Sequence, residues 1–206
     1  MSMINATLPI DMRVIARHSF NRYTLLLNHK EVSTKSLIEL EIGAEYIAEL
    51  YENKGGVITF KNLYKKPKIA FFEEGLALIV RLLEEPNFNF KAFVLSSLIG
   101  SKNSTTFSIY KEMLFALSQN IYHIPFVFEN KPCLFQLRLS TKQSELFLFF
   151  SVFGNLKLVM KEGSNTVYTP FYKVARFLKE HLSLDIVQEK SVTSMFEFKK
   201  LLDFKG

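Results

Sequence analysis

Cys133-Leu134-Phe135-Gln136-Leu137-Arg138-Leu139-Ser140 is followed by Glu145-Leu146-Phe147-Leu148-Phe149-Phe150-Ser151-Val152-Phe153, by Gly154-Asn155, and by Leu156-Lys157-Leu158-Val159-Met160-Lys161. The first segment alternates. Cys133, Phe135, Leu137 and Leu139 fall on one face, with Gln136, Arg138 and Ser140 on the other, which is the period of a half-buried strand. Residues 146–153 are apolar almost throughout, so a strand buried on both faces is expected there. Gly154-Asn155 suits a two-residue type II′ loop, because glycine takes the positive φ of its first central position. Thr169 and Pro170 then read as the N-cap and first residue of a helix. Phe171, Val174, Phe177, Leu178 and Leu182 recur at helical spacing, so one stripe should pack on the hairpin. The expectation for residues 123–206 is an α+β module, a β-hairpin covered by a helix.

Upstream, residues 12–16, 23–27, 31–36, 45–51 and 57–63 read as five short strands. Asn28-His29 makes a tight turn and Asn53-Lys54-Gly55-Gly56 another. Strands of this length and spacing predict a small N-terminal β-barrel, OB-like, over 12–66, preceded by a flexible arm over 1–11. Residues 67–122 change to helical period and form a helical connector. Leu76, Ile79, Val80 and Leu83 stripe a first helix that Pro86 ends. Phe90, Phe93, Val94 and Leu98 stripe a second, with Gly100 as a positive-φ cap. Ser104 caps a third, which turns Phe107, Tyr110, Leu114 and Leu117 inward. The fold class is therefore α+β.

The chain has 206 residues, 48% of them apolar and 21 of them Phe, enough for a sizeable core. Its single cysteine forms no internal disulfide, and no charged and then apolar leader opens the sequence, so a cytoplasmic location is expected. Every apolar run is shorter than the ~20 residues of a spanning helix. Peripheral contact with a membrane stays open. The net charge of +6 is dispersed along the chain and predicts a solvated surface rather than a nucleic-acid footprint.

His18, His29, His123 and His181 have no metal-ligand spacing to one another, to Cys133 or to carboxylates, and each is expected at the surface or in a turn. Cys133 begins an apolar strand and should be a buried, inert thiol. Phosphate loop, dinucleotide fingerprint and serine elbow are all missing, so neither enzyme activity nor a cofactor is expected. The OB-like reading raises single-stranded nucleic acid as the alternative partner. Tyr23, Tyr46, Tyr51, Phe60 and Tyr64 would stack bases beside Arg13, Arg17, Arg22 and Lys61.

With both β modules in view, the chain resembles the flagellar hook-length control family of bacterial flagellar type III export. Residues 22–27, 31–36 and 40–43 follow the family's small β module. Residues 135–140, 146–160, 171–182 and 185–187 follow its C-terminal order of leucine-rich strand, hairpin, helix and final strand. The resemblance implies a shorter, non-enzymatic protein that docks on an export-gate component. Hook measuring is not expected, for want of a long polar N-terminal region. Under this reading the partner-binding residues are Arg138, Lys142, Lys157, Lys161 and Lys173, a polar rim complementary to its partner.

Overall fold

The computed structural model describes residues 8–52, 58–150 and 152–198, with two sheets and four helices among them. Most of the expected N-terminal arm, the turn at 53–56 with Val57, and residues 199–206 lie outside the described residues.

Strands β1 (Ile10–Ser19), β2 (Arg22–Leu27), β3 (Lys30–Lys35), β4 (Glu45–Glu52) and β5 (Ile58–Lys65) form an antiparallel sheet in the order β3-β2-β1-β4-β5. Asn28 and His29 both have positive φ, the type I′ geometry that matches the twist of β2 and β3. The sheet stays open where a closed OB-like barrel was expected. Its edge strand β3 exposes Lys30, Glu31, Ser33 and Lys35, and a charged edge resists further pairing. One face buries Met12, Val14, Tyr23, Leu25, Leu27, Tyr46 and Ala48 around Leu40.

The second sheet has the order β11-β10-β9-β8-β7-β6, from β6 (Tyr122–Phe128), β7 (Lys131–Arg138), β8 (Ser144–Phe150), β9 (Gly154–Lys161), β10 (Ser164–Thr169) and β11 (Asp185–Gln188). Sequence pattern missed β6 and β10. β6 contains Pro125, which a strand tolerates at a sheet edge, and β6 is an edge. β8 buries Phe147 and Phe149 but leaves Leu146, Leu148 and Phe150 half-buried, so it is not covered equally on both faces as its composition suggested. The hairpin turn comes earlier than Gly154-Asn155, at Val152 and Phe153, and Gly154 opens β9. Gly154 keeps φ +67°, and a Cβ there would lie 2.4 Å from the Phe171 ring, so both conformation and space require glycine.

The helices are α1 (Gly75–Glu84), α2 (Phe90–Ile99), α3 (Ser104–Leu117) and α4 (Tyr172–His181). Asn103, one residue before Ser104, caps α3 by accepting the Thr106 N–H, and Asn89 does the same for α2. Gly100 ends α2 at φ −79°, not in the left-handed region. α3 turns Ile109, Tyr110, Met113 and Ala116 inward and leaves Phe107 exposed, while Tyr110, Leu114 and Leu117 of the expected stripe do pack on the core.

The chain divides into two compact units. One comprises Met1–Lys68, Ser151–Gly154 and Tyr168–Ser191, which adds α4 and β11 to the N-terminal sheet. The other comprises Ile69–Phe150, Asn155–Val167 and Val192–Gly206. Its core joins Leu78, Ile79, Phe90, Val94, Ile109 and Met113 of the helices to Ile124, Phe126, Cys133 and Phe135 of β6 and β7. Residues 67–122, expected as a connector, thus supply much of that unit's core.

Candidate functional site

Of the five basic residues expected at a partner surface, two share one carboxylate. Glu145 accepts from Lys157 Nζ at 2.7 Å and Arg138 at 3.1 Å. The Lys157 hydrogen bond, aided by Arg138, holds the Glu145 carboxyl below the usual carboxylate range. Lys142 and Lys161 are exposed in the same unit. Lys173 belongs to the other unit, where its Nζ donates to the Leu50 carbonyl at 2.7 Å and lies 4.9 Å from the centre of the Tyr51 ring.

The expected aromatic platform is dispersed by folding. Tyr23 and Tyr46 are buried, and their hydroxyl oxygens accept the Leu40 and Glu41 N–H groups at 3.3 and 3.0 Å. The Tyr64 hydroxyl donates to Lys190 O at 2.8 Å, and its ring meets Phe171 edge to face. What an aromatic does in this sheet depends on which face it occupies.

Helix α1 provides an apolar surface instead. Its sequence Gly75-Leu76-Ala77-Leu78-Ile79-Val80-Arg81-Leu82-Leu83-Glu84 has more apolar positions than one face can bury. Gly75, Leu78 and Ile79 turn inward, and a Cβ at Gly75 would lie 2.0 Å from the Pro125 carbonyl oxygen, so glycine lets the helix start against β6. Leu76, Val80 and Leu83, spaced four and three residues apart, share an adjoining, exposed side. The stripe read from sequence mixed the two sides. At the end of α1, Arg81 stacks over Phe88 at 4.2 Å and pairs with Glu85 at 2.9 Å. These three, with Glu84, Asn87 and Phe93, line an open hollow of about 580 Å3.

Two buried polar centres escaped the sequence pattern. In the N-terminal unit, Glu49 of β4 is fully buried and accepts from the Tyr51 hydroxyl at 3.0 Å, from Asn62 Nδ2 at 2.6 Å and from the Lys173 backbone N–H. Its carboxylate therefore lies at the N-terminus of α4, where unpaired N–H groups and the helix dipole favour a negative charge. Burial, then the Glu49 hydrogen bond, push the Tyr51 phenol up to about 12. In the other unit, Gln136 is fully buried. Its Nε2 donates to the Phe196 carbonyl at 2.7 Å and lies 3.0 Å from His123 Nδ1, while its Oε1 accepts the Met195 N–H at 2.7 Å. His123 is buried, contrary to the expected surface role, and burial pushes its imidazole down to about 4.

Cys133 is buried. Among the described residues, no three His, Cys, Asp or Glu side chains are grouped to hold a metal ion. Among the described residues, no helix is long and apolar enough to cross a membrane. The chain matches no family model, no curated protein and no solved structure.

Proposed function

We propose that this chain is a protein-binding component of bacterial flagellar or type III export, without enzymatic activity, that docks in the cytoplasm on an export-gate protein. The observation that carries the binding role is the exposed side of α1, where Leu76, Val80 and Leu83 lie in line. Each would contribute about 1 kcal/mol or more on burial against a partner. Exposed apolar side chains that line up beside polar residues are the pattern of interaction sites when they form one patch. Arg81, Glu84 and Glu85 supply a polar rim beside it, and exposed Lys142 and Lys161 add cations to the same unit.

The flagellar assignment is supported by element order. β7, the β8–β9 hairpin, α4 and β11 occur in an order that resembles the C-terminal domain of the hook-length control family, with the additional strand β10 inserted between β9 and α4. The alternative, single-stranded nucleic acid on an OB-like module, loses two stacking candidates to the core at Tyr23 and Tyr46.

The test is capture of tagged chain from its native cells after nuclease treatment, with wild type and Leu76→Glu/Leu83→Glu compared by mass spectrometry. Wild type is expected to retain export-gate components. The double variant should lose at least about tenfold of that recovery, as truncation of central apolar anchors does, with an unchanged melting temperature. Recovery of no export component, or equal recovery by the variant, overturns the proposal.

A further inference from the structure

Two neighbouring loops of the N-terminal unit expose large apolar side chains at the same end of the sheet. The β1–β2 turn carries Phe20, and the segment after β3 carries Leu37 and Ile38. Their relative exposures are 89%, 104% and 56%. The loops are fixed to one another by backbone and side chain. The Ser36 N–H donates to Asn21 O at 2.9 Å. The Arg17 guanidinium reaches both, donating to the Phe20 carbonyl at 3.0 Å and to the Glu39 carboxylate at 2.6 Å. Ser36 Oγ donates to the Ile38 carbonyl at 2.6 Å and braces the second loop internally. The three side chains are thus held out by an ordered frame.

Charge surrounds them unevenly. Arg22 and Lys35 are directly opposite in the β2–β3 register, and both are exposed. Like charges facing across strands destabilise a sheet. Neither forms an ion pair among the described residues, whereas Glu39, next to Ile38 on the second loop, is paired with Arg17. His18 is held by Thr24, its Nε2 lying 2.6 Å from the hydroxyl. The tip therefore combines a projecting apolar end with two facing cations at the adjoining ends of β2 and β3.

We infer that this tip is a docking element for an anionic lipid surface, with Phe20, Leu37 and Ile38 entering the headgroup and acyl boundary and Arg22 and Lys35 meeting lipid phosphates. The occupant follows from shape and charge. Almost complete exposure of Phe20 and Leu37 leaves no groove to receive a partner's side chain, but a projecting end can enter a deformable interface. Two cations set back from an apolar end lie at the depth of the phosphates, and their attraction to anionic lipid fades within a Debye length of the surface. The surface lies in a different unit from the α1 side proposed to bind protein, so either assignment can fail without the other.

The chain contains no tryptophan, so Phe20→Trp introduces a single fluorescent reporter. The full chain carrying it is mixed with vesicles of phosphatidylcholine alone or of phosphatidylcholine with phosphatidylglycerol, and emission and co-sedimentation are recorded. Blue-shifted emission and pelleting with the anionic vesicles at low salt are expected, with little of either on neutral vesicles. Arg22→Ala/Lys35→Ala should weaken binding about 30-fold, the product of two surface cations. Leu37→Glu/Ile38→Glu in the reporter chain should abolish the blue shift while circular dichroism stays unchanged. Absence of binding to anionic vesicles, equal binding to neutral ones, or variants that bind as the parent does would each overturn the inference, the first in favour of a protein partner for the tip.

Discussion

His123 shows how little a single residue type says before folding. Four histidines occur with no ligand spacing, and three of them, His18, His29 and His181, are exposed. His123 instead lies on the β6 face against Gln136 and the Phe196 ring, 5.3 Å away between centres. Nothing local distinguishes it, because the groups that bury it are thirteen and about seventy residues away in sequence. Burial lowers its pKa from 6.5 to about 4. The unfolded chain therefore takes up a proton below pH 6.5 that the folded protein refuses until about pH 4. Its stabilising contribution is complete above pH 6.5 and is lost as pH falls towards 4. Urea denaturation should show about 2 kcal/mol lost between pH 7 and pH 5. His123→Gln should remove that part of the pH dependence, and an equally steep profile in the variant would refute the assignment.

At the scale of an element, α4 begins where a distant side chain lets it. Thr169-Pro170 predicts a helix opening at residue 170, but Thr169 completes β10, where its carbonyl accepts the Glu189 N–H at 2.9 Å. Its hydroxyl accepts the Phe171 N–H at 3.3 Å, and the helix starts at Tyr172 without a local side-chain cap. Glu49 of β4 takes the Lys173 N–H instead. Glu49→Ala would leave the Tyr51 hydroxyl, the Asn62 amide and that backbone donor without their acceptor. A loss of about 2 to 4 kcal/mol is expected in urea denaturation. Glu49→Gln, which keeps one acceptor oxygen but no charge, should lose about half as much. Equal stability of all three proteins would show that the carboxylate does not hold the helix.

At the scale of the whole molecule, neither compact unit is one continuous stretch. The N-terminal sheet recruits Ser151–Gly154 and Tyr168–Ser191, so Ile47 and Glu49, on the β4 face opposite Tyr46 and Ala48, are covered by chain from far downstream. A fragment ending at Lys68 would contain all five strands of that sheet but expose this second face, including the carboxylate. It is therefore expected to melt without a cooperative transition, whereas the full chain melts cooperatively. Sharp melting and dispersed amide resonances in the fragment would contradict this.

What the sequence determined by itself is local. Turn residues such as Asn28-His29 and runs of helical spacing depend on neighbours a few residues away, and strands and helices appear close to where these patterns place them, although β7, expected to be half-buried, is buried on both faces from Cys133 to Leu137. Tertiary structure decided what those patterns leave open. It selected which side of the apolar α1 is buried, kept the first sheet open, and gave β4 a second covered face. It also made Glu49 and Gln136 the anchors of segments more than fifty residues away. The physical reason is that burial of a polar side chain requires hydrogen-bonding partners. Here those partners come from α4 and from the segment after β11, and only folding brings them within reach.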